Sequence, residues 1–171
     1  AWHDVGLSLI RSATRDSFEI WLAPLNAARV WEALVMAGAA PVGTEALEMW
    51  RIAAGLPRYG QDIRERDLPQ ETEQHQALDF TKGCYVGQEI VERIRSRGQV
   101  HRKFTGFRLA GKSSATPGTK IQAEGKDVGE LTSVTSVPLS NGTRATIALG
   151  YVRRELTLPG KSLQAGGAAV T

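Results

Sequence analysis

The residues best suited to chemistry lie together in KGCYVGQEIVERIRSRG, Lys82 to Gly98. This stretch holds the chain's one cysteine, Cys84, with Tyr85 beside it and glycines at Gly83 and Gly87 on either side. Two glycines so close together permit a tight turn and a close approach of backbone to a ligand. A helical run follows, with Val86, Ile90, Val91 and Ile94 on one stripe and Gly98 at its end. A thiol just ahead of a helix N-terminus sits where amide donors and the helix dipole favour thiolate, and Lys82 and Arg93 push the same way. On residue type alone, a single cysteine reads more readily as a small buried hydrophobe than as a reactive group. Both readings stay open at this level. Gln88 and Glu89 can hold the turn by hydrogen bonds. Glu89 and Arg93, at i,i+4, read first as an ordinary helix-surface ion pair worth roughly a few tenths of a kcal/mol. The same spacing lets Glu89 orient Arg93 toward an anion.

Composition narrows the alternatives. The chain has 171 residues, 42% of them hydrophobic, enough for one domain or two small ones without disulfides. A single cysteine cannot form an internal bridge, so a reducing, cytoplasmic setting is expected. No apolar run approaches the length of a transmembrane helix. The opening AWHDVGLSLIRSATRDSFEIW lacks an initiator Met and a signal pattern and reads as the start of a fragment. His3, His75 and His101 are scattered, so no metal-ligand cluster is expected. Net charge is +3, but Lys82 to Arg108 holds seven Lys/Arg and two acids. Such a strip reads first as a solvated basic face, and second as a site for an anionic ligand or RNA.

The elements that must position these residues follow from periodicity. SFEIWL alternates as a half-buried strand, and APLNAARVWEALVMAG reads as a helix entered at Pro24 and stopped at Gly38. Thr44 is the expected N-cap of EALEMWRIAAG, which Gly55 ends. Trp50, just before Arg51, is the tryptophan to compare with a pocket. LPRYGQDIRERDLPQETEQHQALDFT is polar and reads as a long ordered loop. From about Val100 short β-type runs alternate with Gly, Pro and Asn-Gly turns, the pattern of a small antiparallel barrel. GFRLAGKS matches a phosphate-loop pattern literally, but its middle is strand and a proline follows where a helix is required, so it reads as a strand and its turn. Asn141-Gly142-Thr143 reads as a hairpin turn. The boundary between the mixed α/β part and the all-β part is expected near Gly98.

KGCYVGQEIVERI resembles the signature of the folate-binding YgfZ family, which includes an iron–sulfur cluster assembly factor and is related to the glycine-cleavage T-protein, an aminomethyltransferase. The stretch from SFEIWL to YGQDI resembles the second half of the shared folate-binding core. DLPQE, Asp67 to Glu71, resembles the segment after it, and KDVGELTSV and ATIALGYVRRE resemble the C-terminal barrel. The resemblance implies an α+β chain: the C-terminal part of a folate-binding α/β domain over 1–98, then a small antiparallel β-barrel over 99–171. It implies that the N-terminal half of the folate-binding core precedes residue 1.

What the resemblance implies for function is a tetrahydrofolate-binding accessory factor supporting assembly or repair of [4Fe-4S] proteins, and through them tRNA modification. Cys84 is then the reactive thiol and Tyr85 a pocket wall. Gly83 and Gly87 shape the turn, Gln88 and Glu89 hold it, Lys82 and Arg93 supply positive charge, and Arg51 is a weaker folate contact. The partners implied are a folate, in whose site the basic strip holds the polyglutamate tail, and iron–sulfur client proteins or assembly factors. One alternative is a folate-dependent aminomethyltransferase. The transferase branch typically has a pterin-recognising glutamate where this chain has Ala53, and no cysteine at the place of Cys84; both departures favour the accessory factor. Another alternative is a non-catalytic RNA- or protein-binding module, for which the basic strip lacks interleaved aromatics.

Overall fold

The computed structural model describes residues 3–12, 17–111, 113–157 and 161–171. Lys112, the lysine of the phosphate-loop match, lies outside them. The chain divides into two compact units, 1–43 and 44–171.

In the first unit, β1 (Leu7–Arg11) and β2 (Phe18–Leu22) form a two-stranded antiparallel sheet. Its register sets Leu7 against Leu22, Leu9 against Ile20 and Arg11 against Phe18. Alternation therefore gathers Leu7, Leu9, Phe18, Ile20 and Leu22 on one face. A single 3₁₀ turn, Pro24–Asn26, leads into helix α1 (Ala27–Met36). Gly38 ends the helix with φ +97°, a conformation open to glycine at little cost. The strand over Phe18–Leu22 and this helix agree with the periodicity; β1 was not anticipated, because LSLIR has the length and composition of a loop edge as readily as of a strand.

The second unit begins with α2 (Thr44–Ala53), where Thr44 is the first helical residue rather than the cap. The long polar segment that follows is ordered, as expected, and contains 3₁₀ turns at Pro69–Glu71 and His75–Ala77. Buried polar side chains fix it: Asp62, Glu71 and Thr72 are each at least nine-tenths buried. Helix α3 (Gln88–Arg97) then delivers the chain to a closed antiparallel barrel. Its strands are β3 (Arg102–Leu109), β4 (Lys120–Ala123), β5 (Lys126–Pro138), β6 (Arg144–Arg153), β7 (Leu163–Ala165) and β8 (Ala168–Val170). The order around the barrel is β3-β6-β5-β4-β7-β8. Ile121, Leu131, Ala148 and Val152 are almost fully buried and fill it. Asn141-Gly142 is the β5–β6 turn, with the Asn141 side-chain oxygen accepting from the Thr143 amide at 3.1 Å. Gly106 to Leu109 lie in β3, as the rejection of a phosphate loop required. The architecture is α+β with a small antiparallel barrel, as the sequence indicated.

Helix α2 lies against β5 and β6. Its buried Ile52 packs with Phe104, Leu149 and Tyr151. Within the barrel, β5 and β6 approach so closely that a Cβ on Gly150 would stand 2.3 Å from the Glu130 carbonyl oxygen, and one on Gly129 2.2 Å from that of Tyr151. Neither neighbour is a flexible side chain, so an added methyl must push the ladder apart. Gly150→Ala is expected to cost about 3 kcal/mol, the upper end for overpacking, and to lower Tm by roughly 6–12 °C. Gly106→Ala, whose Cβ would meet only the Leu149 side chain at 3.9 Å and the Ala148 carbonyl oxygen at 4.0 Å, serves as the control and should change Tm little. Thermal denaturation followed by circular dichroism measures both.

Candidate functional site

The Lys82–Gly87 loop is shaped by its own polar groups. Asp79 Oδ1 accepts from the Thr81 amide and the Thr81 hydroxyl, both at 2.8 Å, and from the Lys82 amide at 3.3 Å. These donors, Thr81 before Lys82, hold the Asp79 carboxyl below its ordinary range. At the other end, the Gln88 amide donates to the Tyr85 carbonyl at 3.2 Å, and the Tyr85 amide donates to Gln88 Oε1 at 3.4 Å. Gln88 thus holds the turn as expected. Gly87 precedes α3 with φ +89°, so this glycine is required by the backbone. Gly83 has no positive φ, and nothing stands within 4 Å of where its Cβ would be. Of the two flanking glycines, only Gly87 is needed for the turn itself.

Within this loop Cys84 is exposed, which removes the buried-filler reading. Lys82 Nζ stands 4.4 Å from the centre of the Tyr85 ring, a cation–π contact that orders both side chains. Glu89 lies in the first turn of α3. The ion pair anticipated between Glu89 and Arg93 does not form: the pair on this helix joins Arg95 to Glu92 at 3.4 Å, while Arg95 also lies over the Phe80 ring. Among the described residues, neither Lys82 nor Arg93 makes an ion pair. Val91 is buried, but Val86 and Ile90 are exposed, so the expected apolar stripe of α3 is only partly covered.

Arg51 lies elsewhere and does something else. Its Nε and Nη2 take the two carboxylate oxygens of Glu48 at 3.0 and 2.5 Å. Nη1 donates to Asp62 Oδ2 and to the Leu56 carbonyl, both at 2.7 Å, and Nη2 donates to Ser133 Oγ at 2.9 Å. A guanidinium has five N–H donors, and here each has a partner, so none is left for an outside ligand. Asp62, fully buried, also accepts from the Arg58 amide at 2.9 Å, from Ser133 Oγ at 2.7 Å and from Thr132 Oγ1. Adjacent strand residues normally point to opposite faces. Thr132 and Ser133 both reach one carboxylate because β5 bulges there, with Leu131 opposite Gly150 and Ser133 opposite Leu149. The hydrogen bonds from Arg51 pull the Glu48 carboxyl below its ordinary range.

A second polar cluster uses the DLPQE segment. Arg102, opening β3, donates to Asp67 Oδ1 at 2.8 Å and to Glu71 Oε2 at 3.0 Å. Its guanidinium carbon lies 4.6 Å from the centre of the Tyr151 ring, and the Tyr151 hydroxyl donates to Asp67 Oδ2 at 3.4 Å. Burial, reinforced by the Asp67 charge, holds that hydroxyl well above the usual tyrosine range. Gln70 donates to the Val91 carbonyl at 3.0 Å, tying this turn to α3. Beside the cluster is a cleft of about 310 Å³ lined by Arg64, Arg66, Asp67, Arg102, Lys120 and Tyr151, among others. Asp62, Thr132, Ser133 and Tyr151 were not anticipated as polar centres, because a buried acid in a polar loop and a bulge in a strand leave no periodic trace.

Two family models divide the chain. Residues 13–82 match the GCVT N-terminal domain, and residues 102–171 match the CAF17 C-terminal β-barrel domain. In these two stretches the chain is similar to a GCVT-type segment and to a CAF17-type barrel. Among curated relatives, a putative chloroplastic transferase of Arabidopsis thaliana is 30% identical over 88% of this chain and 34% of its own length. The aminomethyltransferase of Rubrobacter xylanophilus is 36% identical over 82% of this chain and 37% of its own. The chain therefore spans little more than a third of the relatives it matches. The crystal structure of the glycine cleavage system aminomethyltransferase T from Bartonella henselae shares the fold, with a TM-score of 0.74 and 23% identity over 90% of this chain and 44% of that one. Among the described residues, no helix is long and apolar enough to cross a membrane and no group of His, Cys, Asp and Glu could hold a metal ion.

Asp62→Ala leaves the buried Arg51 with one carboxylate fewer, and removing one partner of a buried pair costs about 3–5 kcal/mol; urea unfolding should read that loss. The acid side follows from Glu48, whose carboxyl the hydrogen bonds from Arg51 hold below the ordinary glutamate value of 4.5 in the folded protein. Its contribution is complete above about pH 4.5 and disappears as pH falls through the depressed folded value. Glu48→Gln should therefore weaken the protein at neutral pH and flatten its acid limb below about pH 4.5. Stability measured against pH for both variants checks the sign.

Proposed function

We propose that the full-length protein is a tetrahydrofolate-binding accessory factor that supports assembly or repair of [4Fe-4S] proteins, and through them tRNA modification. The observation that carries this reading is Cys84 in its signature loop: exposed, ahead of a helix, and held in place by Asp79, Gln88 and Gly87. The match of residues 102–171 to the CAF17 barrel supports the same branch. The division into a partial folate-binding domain, 1–98, and a barrel domain, 99–171, belongs to the proposal. It is supported by the gap between the two family models, 82 to 102. A cytoplasmic setting also stays part of it.

The residues present fit one end of a folate better than the other. Lys82 and Arg93, which make no ion pair among the described residues, suit the glutamyl carboxylates, and Tyr85 offers a ring against which an aromatic group can stack. Glu89, exposed on α3, is a further polar contact. The pterin requires an oriented carboxylate, and the position at which the transferase branch carries one is Ala53, an exposed residue with no side-chain acceptor. Arg51, with all five donors engaged, acts by holding α2 to the barrel rather than by touching folate. The chemistry assigned to Cys84 is thiol redox exchange or handling of a one-carbon adduct.

A second reading, a folate-dependent aminomethyltransferase, is favoured by the names of the relatives. It predicts turnover of an aminomethyl donor with tetrahydrofolate, which the accessory-factor reading does not.

In a strain lacking the corresponding gene, the full-length protein should restore [4Fe-4S] enzyme activity and Cys84→Ala should lose most of that rescue, while barrel variants such as Gly106→Ala retain it. Full rescue by Cys84→Ala ends the reactive-thiol assignment. Folate affinity should also fall as salt rises, with a shallow slope, because only a few cations are unpaired; an affinity indifferent to salt removes Lys82 and Arg93 from the tail site.

A further inference from the structure

The cleft of about 310 Å³ beside Tyr151 carries more guanidinium donors than its own carboxylates answer. Arg64, Arg66, Arg102 and Lys120 line it, and so do Asp67, Asp127 and Glu130. Asp67 is fully engaged: one oxygen accepts from the Arg64 amide at 2.7 Å and the Tyr151 hydroxyl at 3.4 Å, the other from Arg102 at 2.8 Å. Glu130 is paired with Lys120 at 2.5 Å, whereas Arg64 reaches it only at 3.7 Å, longer than a hydrogen bond. The Arg64 side chain therefore has no hydrogen-bond acceptor among the described residues, and Arg66 has neither an acceptor nor an ion pair there. Arg102 uses Nε on Glu71 and Nη2 on Asp67, which leaves Nη1 without an acceptor among the same residues. These groups stand on an ordered frame. The Asp67 amide donates back to the Arg64 carbonyl at 2.9 Å, which closes the loop on itself. Buried Thr132 and Tyr151 complete the lining, and Arg102 is stacked 4.6 Å from the Tyr151 ring centre.

We propose that this cleft binds a phosphate group, free or carried by a small phosphorylated molecule, with Arg64, Arg66 and Arg102 donating to its oxygens. The donors select phosphate over carboxylate. Three guanidinium groups, two from a loop and one from the start of β3, suit a dianion with three or four acceptor oxygens better than a group with two. The volume sets the size of the molecule. At the lower end of the range for ligand pockets, it admits a compact metabolite rather than a stretch of polynucleotide. Asp127 accepts from Gln122 at 2.9 Å and makes no ion pair among the described residues, so it is available to accept from a ligand hydroxyl. No residue of this site belongs to the Cys84 loop or to the proposed folate contacts. The proposal stands apart from folate binding, and its test contains no folate.

Calorimetric titration of the full-length protein with inorganic phosphate and with glycerol 3-phosphate, in chloride buffer, tests the assignment, with succinate as the dicarboxylate comparison. At least one of the two phosphates should bind with a Kd of about 1 mM or tighter, and succinate at least tenfold more weakly. Arg64→Ala combined with Arg66→Ala should weaken phosphate binding at least tenfold, because hydrogen bonds to a charged group are lost. Arg108→Ala removes an exposed charge outside the cleft and should change the affinity by less than about twofold. Tighter binding of glycerol 3-phosphate assigns the cleft to a phosphorylated metabolite, and tighter binding of inorganic phosphate assigns it to the free ion. Failure of both probes to bind overturns the proposal. So does succinate bound as tightly as phosphate, or a loss in Arg108→Ala equal to that in the double variant. A second readout needs no variant: phosphate should slow phenylglyoxal modification of Arg64 and Arg66, mapped by mass spectrometry, and leave that of Arg108 unchanged. Unslowed modification of both cleft arginines also counts against the proposal.

Discussion

The structure of residues 44–171 turns on one buried ion pair, Arg51 with Asp62. A charge removed from water is tolerable only with a partner and a full set of hydrogen bonds. Both conditions are met here, by Glu48 and Leu56 on one side and by Thr132 and Ser133 of β5 on the other. The network therefore connects a helix, a long polar segment and the wall of the barrel at one point. Hydrophobic burial alone, through Ile52 against Phe104, Leu149 and Tyr151, would leave α2 free to slide. The guanidinium fork and the bulge that aims two hydroxyls at one carboxylate fix its register.

The same logic changes the meaning of the basic strip. Read along the chain, Lys82 to Arg108 is strongly positive. In space part of that charge is answered by the acidic loop before it: Arg102 by Asp67 and Glu71, Lys103 by Glu73 at 2.8 Å. These pairs clamp the loop to the barrel. Among the described residues Lys82, Arg93 and Arg108 make no ion pair, and the proposed function uses the first two.

Much of the fold could be read from periodicity and punctuation. The helix stops at Gly38 and Gly55, the turn at Asn141-Gly142 and the barrel strands follow from where glycine is needed and where side chains alternate. The site was legible only in part. Gly87 and Gln88 act as their positions suggested, because turn chemistry is local. The surroundings of Arg51 were not legible, because a sequence does not say whether a guanidinium meets solvent or is enclosed by Glu48, Leu56, Asp62 and Ser133. Exposure of Cys84 was undecided for a similar reason: whether a small side chain is buried depends on what packs above it. Val86 and Ile90 show the converse, an apolar stripe without a covering surface among the described residues.

The proposed function reads these observations as part of a folate site: an ordered thiol loop and unpaired cations, without the carboxylate that orients a pterin. Calorimetric titration of tetrahydrofolate into the full-length protein and into this chain alone tests that account most directly. The account predicts binding by the full-length protein and an affinity at least tenfold weaker, or none, for this chain. Equal affinity in the two would contradict it, since residues 1–171 would then hold the whole site.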